Sequence, residues 1–395
     1  MISVEEALKI VLSIPGNYGV EKVPLQHTFN RFLAEDIYSD RDSPPFDRVM
    51  MDGIAIDSSV LSDNQKDSFF IEGIQAAGDI QKVLNNKYNC LEVMTGAILP
   101  QNTDTIVPYE DIEIINNNAH LKKSVVPKTY IHLKGSDHKK GILALPKSKR
   151  LNAADIGLLA SVGISLVPVF KMPKIAVVAT GNELVEVDAV PENHQIRMSN
   201  VYALQAALNA DGIASTIFHL IDDEVILLKQ LSSIVYEYDV VLISGGVSKG
   251  KYDFVPVILD KLGVQKLFHQ VAQRPGKPFW FGHQPLQNTH VFALPGNPVS
   301  TFVCYQFYFR HWLFASFGNQ LKHPLIQLSG TTTANNNLSL FIPVVINNEG
   351  NEVTIVSNNG SGDLFSLANI DGFILVPKGA DTYIDKSLFP FLAIR

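Results

Sequence analysis

The sequence predicts a multi-domain protein of the α/β plus β class, with a mostly parallel central sheet, a small β-domain and a C-terminal β-barrel-like domain. The chain has 395 residues, whereas a single domain typically has about 100–200. Strand-like and helical segments alternate from residue 171 to residue 319, which is typical of a parallel sheet with helices on both faces. After residue 320 the helical pattern ends, and short apolar runs between Asn and Gly turns predict β-structure.

Composition and charge restrict the function. The net charge is −7, and the longest basic run, Lys147–Arg150, is interpreted as a solvated loop, so a nucleic-acid partner is not expected. Residues 1–15 lack the features of a signal peptide, and no apolar run is as long as a membrane span. We therefore expect a cytoplasmic protein without a membrane partner. Cys90 and Cys304 are interpreted as core thiols, too few for a disulfide framework.

The segments before residue 171 predict three helices and a β-rich region. Residues 2–14 have an amphipathic helical pattern, and Thr28–Asp40 is predicted as a short helix that leads into a strand. The prolines of Arg41–Pro45 favour an extended linker, and residues 151–163 predict a second amphipathic helix. Short strands are predicted at residues 54–56, 69–71, 91–94, 105–108, 112–115 and 143–145.

The central domain alternates between buried strands and helices. Strands are predicted at residues 174–180, 214–220, 240–244, 278–282 and 290–294, and helices at residues 200–210, 224–236, 254–262 and 298–317. Ligands of an open parallel sheet bind beyond the carboxyl ends of its strands, so the loops at those ends are the candidate site.

The first candidate loop follows the strand that ends at Thr180 and Gly181. Glycine permits close backbone approach to a ligand, and Glu183 would place a carboxylate at the mouth of the sheet. Taken alone, this loop is equally consistent with an ordinary turn.

The second candidate loop is richer in glycine and serine than a helix cap requires. It begins at Ser244–Gly246 and continues through Ser248, so its amides and hydroxyls can form a nest for phosphate oxygens. Asp253 follows this nest. Because a carboxylate repels a phosphate unless a cation bridges them, Asp253 indicates Mg²⁺.

Two further loops share a Pro-Gly-x-Pro pattern, Pro275–Pro278 and Pro295–Pro298. Proline restricts the backbone conformation of each loop, and glycine allows a ligand to approach the backbone closely. Gly296 and Asn297 precede a predicted helix, whose N-terminal amides favour an anion. Arg274 and Lys277 are candidate cations for the same ligand. Two ordinary Pro-Gly turns are the alternative.

The β-domain offers a separate group of polar residues. Asp47 and Asp52 flank a methionine pair, Thr95 and Gly96 follow a predicted strand, and Lys134 and Asp137 lie in another loop. Each segment alone is also consistent with a turn. The chain lacks the G-x-S-x-G, H-E-x-x-H, G-x-x-x-x-G-K-[ST] and βαβ G-x-G-x-x-G motifs. What remains is a carboxylate-rich, metal-assisted site beside a phosphate nest.

Taken together, these segments resemble the molybdopterin molybdenumtransferase (MoeA) family, which includes the E domain of gephyrin. The similarity covers nearly the whole chain in the family's order, and the combination of "SGGVS" with "LPGNPVS" is specific. The matching stretches are Phe46–Ala55, Met94–Pro100, Gly135–Asp137, Thr180–Leu184, Ser244–Asp253, Pro275–Pro278 and Leu294–Ser300.

The resemblance implies an elongated homodimer whose α/β domain is similar to molybdopterin adenylyltransferase. It divides the chain into an N-terminal helix that packs on the α/β domain (1–19), a linker and dimerisation domain (20–44 with 140–170), a small β-domain (45–139), an α/β molybdopterin-binding domain (171–319) and a C-terminal β-domain (320–395). The implied reaction uses molybdate and adenylylated molybdopterin as substrates, is assisted by Mg²⁺, and hydrolyses the AMP linkage. A molybdopterin adenylyltransferase is an implied partner.

The resemblance also implies roles for residues at matching positions. Asp52, Glu183 and Asp253 are expected to be catalytic, and Glu183, Asp222 and Asp253 to hold the metal. The expected ligand-binding residues of the β-domain are Thr95, Gly96, Lys134 and Asp137, and the resemblance implies that Asp52, Thr95 and Asp137 serve the partner subunit's site. Those of the α/β domain are Thr180, Gly181, Asp222, Ser244, Gly245, Gly246, Ser248, Arg274, Pro275, Gly276, Lys277, Pro295, Gly296, Asn297, Pro298 and Ser300.

Several positions depart from the family pattern. Ile131–Lys134 replaces an Arg-rich stretch, Gln270 replaces a lysine, Met50 and Ile54 flank the Met-Asp-Gly motif, and Leu338–Val344 contains no arginine. Three of these changes remove positive charge, and each lost contact is worth about 1–3 kcal/mol of ligand affinity. Two alternatives therefore stay open: a nucleotide enzyme similar to molybdopterin adenylyltransferase, and a non-catalytic pterin-binding scaffold.

Overall fold

The computed structural model describes residues 1–62, 66–247, 254–347 and 349–394. It forms two compact units. The smaller unit comprises Glu35–Lys147 and Ala154–Ser165, and the larger unit comprises Met1–Ala34, Ser148–Ala153 and Leu166–Arg395. Within the described ranges, no helix is both long and apolar enough to cross a membrane.

A six-stranded sheet forms the core of the smaller unit. Its strands, in spatial order, are Thr105–Pro108, Gly53–Ile56, Cys90–Val93, Ser68–Gln75, Asn118–Leu121 and Ile112–Ile115. Ile54, Ile56, Phe69 and Val107 are buried together in one core, and the strands Gly53–Ile56 and Thr105–Pro108 are buried at every position. Two short ladders complete the unit: Arg48–Val49 with Ile131–His132, and Ile37–Tyr38 with Leu143–Leu145.

The larger unit is built on a second six-stranded sheet. Its spatial order is Ser215–Leu220, Ile175–Thr180, Val240–Ser244, Thr289–Leu294, Trp280–Gln284 and Gln265–His269. The first four strands are parallel, Trp280–Gln284 pairs antiparallel with Thr289–Leu294, and Gln265–His269 pairs antiparallel with Trp280–Gln284. Ile175–Thr180, Val240–Ser244 and Thr289–Leu294 are buried throughout, as expected for strands covered on both faces. The prediction of a mostly parallel sheet is confirmed.

Helices cover both faces of this sheet. One face packs against Val4–Ser13, Asn200–Ala210 and the helix that begins at Pro298, and the other face packs against Glu224–Glu237 and Val255–Lys261. The first helix begins with a capping box, in which Ser3 and Glu6 satisfy each other's backbone amides. The predicted long helix contains a π-helical segment, Tyr305–Phe309, between the α-helical segments Pro298–Cys304 and Arg310–Ser316.

The C-terminal part of the larger unit is a closed five-stranded barrel. Its strands, in order around the barrel, are Ser339–Ile346, Glu352–Ile355, Leu325–Ser329, Leu388–Ala393 and Gly372–Val376, and the last pairs again with the first. Leu328, Val344, Val353 and Ile374 are among the buried residues of its core. The short strand Gln273–Arg274 adds to the barrel by pairing with Ser339–Ile346. The predicted barrel-like β-domain is confirmed.

The remaining elements are short. They are the 3₁₀ helices Leu25–His27, Ser58–Ser62 and Tyr109–Asp111, the helices Ala153–Ser161 and Leu364–Leu367, and the paired strands Val20–Pro24 with Leu166–Phe170, Leu184–Val185 with Ile196–Arg197, and Thr332–Thr333 with Thr382–Tyr383.

Two sequence-based interpretations are wrong. Thr28–Asp40 forms no helix: Asn30 has φ of 64°, and Phe32 and Leu33 are buried as isolated bridge residues. Their burial reflects long-range packing rather than helical periodicity. Arg150 does not belong to a solvated loop, because its guanidinium lies 3.2 Å from the buried Asp211 carboxylate. The interpretation of Cys90 and Cys304 as buried free thiols is confirmed.

Candidate active site

A cleft of about 1020 Å³ lies in the larger unit at the carboxyl ends of Ile175–Thr180, Val240–Ser244 and Thr289–Leu294. Loops that follow parallel strands converge at this edge because the strands point the same way. The predicted site residues that line the cleft are Thr180, Gly181, Glu183, Asp222, Ser244, Gly245, Gly246, Arg274, Pro275, Gly276, Lys277, Pro295, Gly296, Asn297, Pro298 and Ser300.

The first loop and the loop after Ser215–Leu220 each bring one carboxylate to the cleft. The backbone amide of Asp222 donates to the Asn182 side-chain oxygen at 3.0 Å, which ties the loop that holds Asp222 to the loop that holds Glu183. A ring nitrogen of His219 lies 3.0 Å from the Gly181 carbonyl oxygen. Glu183 and Asp222 both line the cleft, so two acidic side chains share this rim.

Thr180 ends its strand beneath the second loop. Its hydroxyl oxygen is buried and has no hydrogen-bond partner among the described residues. Gly245 has φ of 105° and Gly246 has φ of 67°, and residues other than glycine rarely adopt such backbone conformations. The Gly245 amide donates to the Leu294 carbonyl at 3.2 Å and so belongs to the sheet. The predicted phosphate nest therefore begins at Gly246, while Ser248 and Asp253 lie outside the described residues.

A buried glutamine, Gln273, is hydrogen-bonded to the third loop. The Arg274–Pro275 peptide bond is cis, and Gly276 has φ of 93°. The Gln273 amide donates to the Pro275 carbonyl at 3.0 Å, and its oxygen accepts a hydrogen bond from Tyr308. Arg274 and Lys277 are exposed at the cleft, so the same loop presents two cations to the cleft that Glu183 and Asp222 also line.

The fourth loop is bound to the C-terminal barrel. The Asn297 amide donates to the Ser361 hydroxyl at 2.7 Å, and the Val299 backbone amide donates to the Ser361 carbonyl at 3.1 Å. One amide at the start of the helix is therefore already satisfied within the protein. Ser300 is 4% exposed where it lines the cleft.

Asn200 and a wall from the barrel are among the parts of the cleft that were not predicted from the sequence. Asn200, the first residue of a helix, donates from its side-chain amide to the Gly296 carbonyl at 2.7 Å and to the Ser244 hydroxyl at 2.9 Å. The barrel supplies a wall that is mostly apolar, lined by Leu338, Leu340, Phe341, Ile342, Pro343, Ile355, Val356, Ser357, Asn358, Gly360 and Ser361. The sequence signal for Asn200 is its position after Ser199, at the start of a helix that packs on the predicted sheet.

The predicted site residues of the smaller unit form a separate group. The Asp52 carboxylate accepts the Thr95 backbone amide at 2.6 Å, and this hydrogen bond is the main reason that the pKa of Asp52 is lowered. Gly96 follows Thr95, and its amide donates to the Val49 carbonyl at 2.9 Å. None of these residues is among those that line the cleft of the larger unit.

Lys134 and Asp137 lie on the adjoining loop of the smaller unit. The Lys134 backbone amide donates to the Asp47 carboxylate at 2.8 Å, and Asp137 lies 2.7 Å from a ring nitrogen of His132. The ladder of Arg48–Val49 with Ile131–His132 joins this loop to the segment that precedes Asp52. The three motif segments of the β-domain are therefore neighbours.

No group of three or more His, Cys, Asp or Glu side chains that could hold a metal occurs within the described ranges. Glu183 and Asp222 supply carboxylate oxygens at the cleft, and Asp253, the third predicted metal ligand, lies outside those ranges.

The fold and the cleft define a multi-domain α/β protein with its candidate site at the carboxyl edge of a parallel sheet. A family model described as "MoeA N-terminal region (domain I and II)" matches residues 2–163, and one described as "Probable molybdopterin binding domain" matches residues 176–315. The chain belongs to the molybdopterin molybdenumtransferase (MoeA) family, a family of transferases of molybdenum cofactor biosynthesis. The predicted resemblance is confirmed.

Individual relatives match along the full chain. The molybdopterin molybdenumtransferase of Synechocystis sp. is 37% identical over 400 residues, and the alignment covers 100% of each chain. The Bacillus subtilis molybdopterin molybdenumtransferase is 29% identical and is covered to 94%. The crystal structure of the molybdopterin biosynthesis MoeA protein from Pyrococcus horikoshii OT3 has a TM-score of 0.85 and 27% identity, with 100% of both chains covered.

Proposed function

We propose that this chain inserts molybdenum from molybdate into adenylylated molybdopterin, with hydrolysis of the AMP linkage and release of AMP. One observation carries the proposal: glycine-rich loops from several strands meet at a single cleft of about 1020 Å³ in a chain of the MoeA family. A cleft of this size accommodates a nucleotide-linked pterin. The family relatives named molybdopterin molybdenumtransferase support the reaction class.

The polar side of the cleft suits a pyrophosphate. Gly245 and Gly246 have positive φ and turn the backbone along the edge of the cleft, and Ser244 offers a hydroxyl beside them. Arg274 and Lys277 add positive charge on the facing loop. An acidic protein with a net charge of −7 can attract an anionic ligand only through such local groups.

The residues present also fit Mg²⁺, which binds carboxylate oxygens together with substrate phosphates. Glu183 and Asp222 would hold the ion at the cleft, and we include Asp253 in this proposal. When bound, the ion would neutralise the charge that develops on the phosphate oxygens. The two carboxylates would orient it, while Arg274 and Lys277 would bind phosphate oxygens directly.

The oxygen of a water molecule forms a new bond to phosphorus as the original phosphorus–oxygen bond of the AMP linkage breaks, and AMP leaves. The two dithiolene sulfurs bind molybdenum, and their two protons leave with one molybdate oxygen as water.

We further propose that the chain acts as a cytoplasmic homodimer. Asp52, Thr95, Gly96, Lys134 and Asp137 would complete the partner subunit's site. Their clustering on one part of the smaller unit supports a shared role, since Asp52 and Thr95 are in direct contact. Because the substrate is adenylylated, a molybdopterin adenylyltransferase is the partner that must supply it.

The proposal is tested by measuring AMP release from adenylylated molybdopterin with and without molybdate and Mg²⁺. We expect release that requires both, and Glu183→Gln should reduce it roughly 100-fold. Glu237→Gln is the matched control because Glu237 is exposed at the end of a helix. AMP release that ignores molybdate would instead indicate a nucleotide hydrolase.

A further inference from the structure

Asn200 joins two of the ligand loops through one side-chain amide. Its nitrogen lies 2.7 Å from the Gly296 carbonyl oxygen, 2.9 Å from the Ser244 hydroxyl and 3.4 Å from the Thr301 hydroxyl. Because a backbone carbonyl can only accept a hydrogen bond, the atom that faces Gly296 must be the nitrogen, which settles the orientation of the amide. The two N–H groups are therefore directed at Gly296 and Ser244.

The first consequence concerns the Ser244 hydroxyl. Since its oxygen accepts an N–H from Asn200, its own proton must point elsewhere. Thr301 is a poor acceptor for that proton because the two hydroxyl oxygens are 3.5 Å apart. Ser244 is 4% exposed and lines the cleft, so its proton is available to an acceptor bound there.

The second consequence concerns the Gly296 carbonyl. This oxygen belongs to the loop that lines the cleft, and an unpaired carbonyl at that place would repel an anionic ligand. In this protein the Gly296 carbonyl accepts a hydrogen bond from the Asn200 side-chain N–H. The Thr301 hydroxyl likewise pairs with neighbouring carbonyls of this loop. It donates to the Pro295 carbonyl oxygen and lies 3.2 Å from the Asn297 carbonyl oxygen.

We propose that Asn200 is a positioning residue for the phosphate-bearing ligand: it turns Ser244 into a hydrogen-bond donor toward the cleft and masks the Gly296 carbonyl. This inference rests on the proposed function, because it needs an anion in the cleft. It predicts that Asn200 affects discrimination between charged and uncharged forms of the same ligand.

The test compares the affinities of the full-length protein for AMP and for adenosine by calorimetry. Asn200→Asp replaces the two donors with acceptors and should weaken AMP binding at least about tenfold, while changing adenosine binding less than about twofold. Asn200→Ala removes the donors without adding charge, so its loss of AMP affinity should be smaller. Asn209→Asp makes the same chemical change at an exposed position of the same helix and should leave both affinities unchanged.

The outcomes separate this inference from the proposed function. If the wild-type protein binds AMP and both Asn200 variants bind it equally well, the role of Asn200 is wrong and the proposed function stands. Parallel losses of AMP and adenosine affinity in the variants would indicate a merely structural role and would also overturn the inference. If the wild-type protein does not bind AMP, the proposed function fails and the inference fails with it. If Asn200→Asp does not fold, the ratio of AMP affinity to adenosine affinity in Asn200→Ala decides the question.

Discussion

The backbone of Gly245 packs directly against Thr180. A methyl group at Gly245 would lie 2.8 Å from the Thr180 carbonyl oxygen and 2.9 Å from its hydroxyl, and Gly245 has φ of 105°. Two adjacent strands therefore bring their ends together without space for a side chain. This contact shapes the edge of the cleft.

Gly245→Ala should accordingly impair both stability and ligand binding. We expect a loss of roughly 1–3 kcal/mol in the free energy of unfolding from backbone strain and steric overlap. AMP affinity should fall as the loop moves. Urea denaturation and calorimetry measure the two effects. Gly330→Ala is the control for strain alone, because Gly330 has φ of 101° but open space around it. Equal behaviour of the two variants would contradict a role for close packing at Gly245.

A buried ion pair should make a large contribution to the larger unit. Asp211 binds Arg310 through two nitrogens at 3.0 and 3.2 Å and also accepts from Arg150, and its side chain is 6% exposed. Asp211→Ala removes the carboxylate that neutralises two partly buried guanidinium groups, so we expect a loss of at least about 2 kcal/mol in the free energy of unfolding.

The exposed pair of Lys261 and Glu224 is the matched comparison, since both of its side chains are 49% exposed. Lys261→Ala should cost less than about 1 kcal/mol in the same denaturation experiment. Similar losses for Lys261→Ala and Asp211→Ala would show that burial of the Asp211 carboxylate is unimportant.

His290 should make stability depend on pH. Burial, with a smaller contribution from His283, lowers the pKa of His290 from 6.5 to about 4. The folded protein therefore keeps the ring neutral while the unfolded chain takes up a proton below pH 6.5, so stability is lost as the pH falls from 6.5 toward 4. The loss attributable to this group is about 2–3 kcal/mol at pH 4.5.

His290→Phe should reduce that pH dependence, because phenylalanine can still pack against Trp312, whose ring lies 4.8 Å from that of His290. Denaturation at pH 7 and pH 4.5 measures the difference. His194→Gln is the control, as the His194 side chain is 70% exposed. Parallel pH profiles for the wild type and His290→Phe would refute the assignment.

The proposed exchange of residues between subunits predicts complementation. In a mixed dimer of Asp52→Ala and Glu183→Gln chains, one site would receive both wild-type residues. Random mixing should then restore about a quarter of the wild-type AMP release, since half of the dimers are mixed and each has one intact site. No recovery in the mixture would mean that each site takes both residues from a single chain.

Much of the central domain follows from local sequence. Val240–Ser244 is an almost entirely apolar run between Asp239 and Gly245, and its observed limits match the prediction because a strand covered on both faces is apolar along most of its length. The loops at the cleft were predictable for a related reason: glycine and proline mark the places where the backbone leaves the sheet.

Other features depend on long-range contacts that a local pattern does not contain. The barrel closes through pairing of Ser339–Ile346 with Gly372–Val376, which sequence spacing alone does not specify. Phe32 is buried because it stacks on Phe317, at a ring distance of 4.7 Å, rather than because a helix orients it. Asn200 was missed because its partners, Ser244 and Gly296, lie on two other loops.

The most direct test of the account is a crystal structure of the full-length protein with AMP and Mg²⁺. We predict that the phosphate lies at the loop after Val240–Ser244, within about 2.7–3.2 Å of the Ser244 hydroxyl and the Gly246 amide. Glu183 and Asp222 should face the ion. Density for the nucleotide in a different cleft, with this one empty, would contradict the central claim.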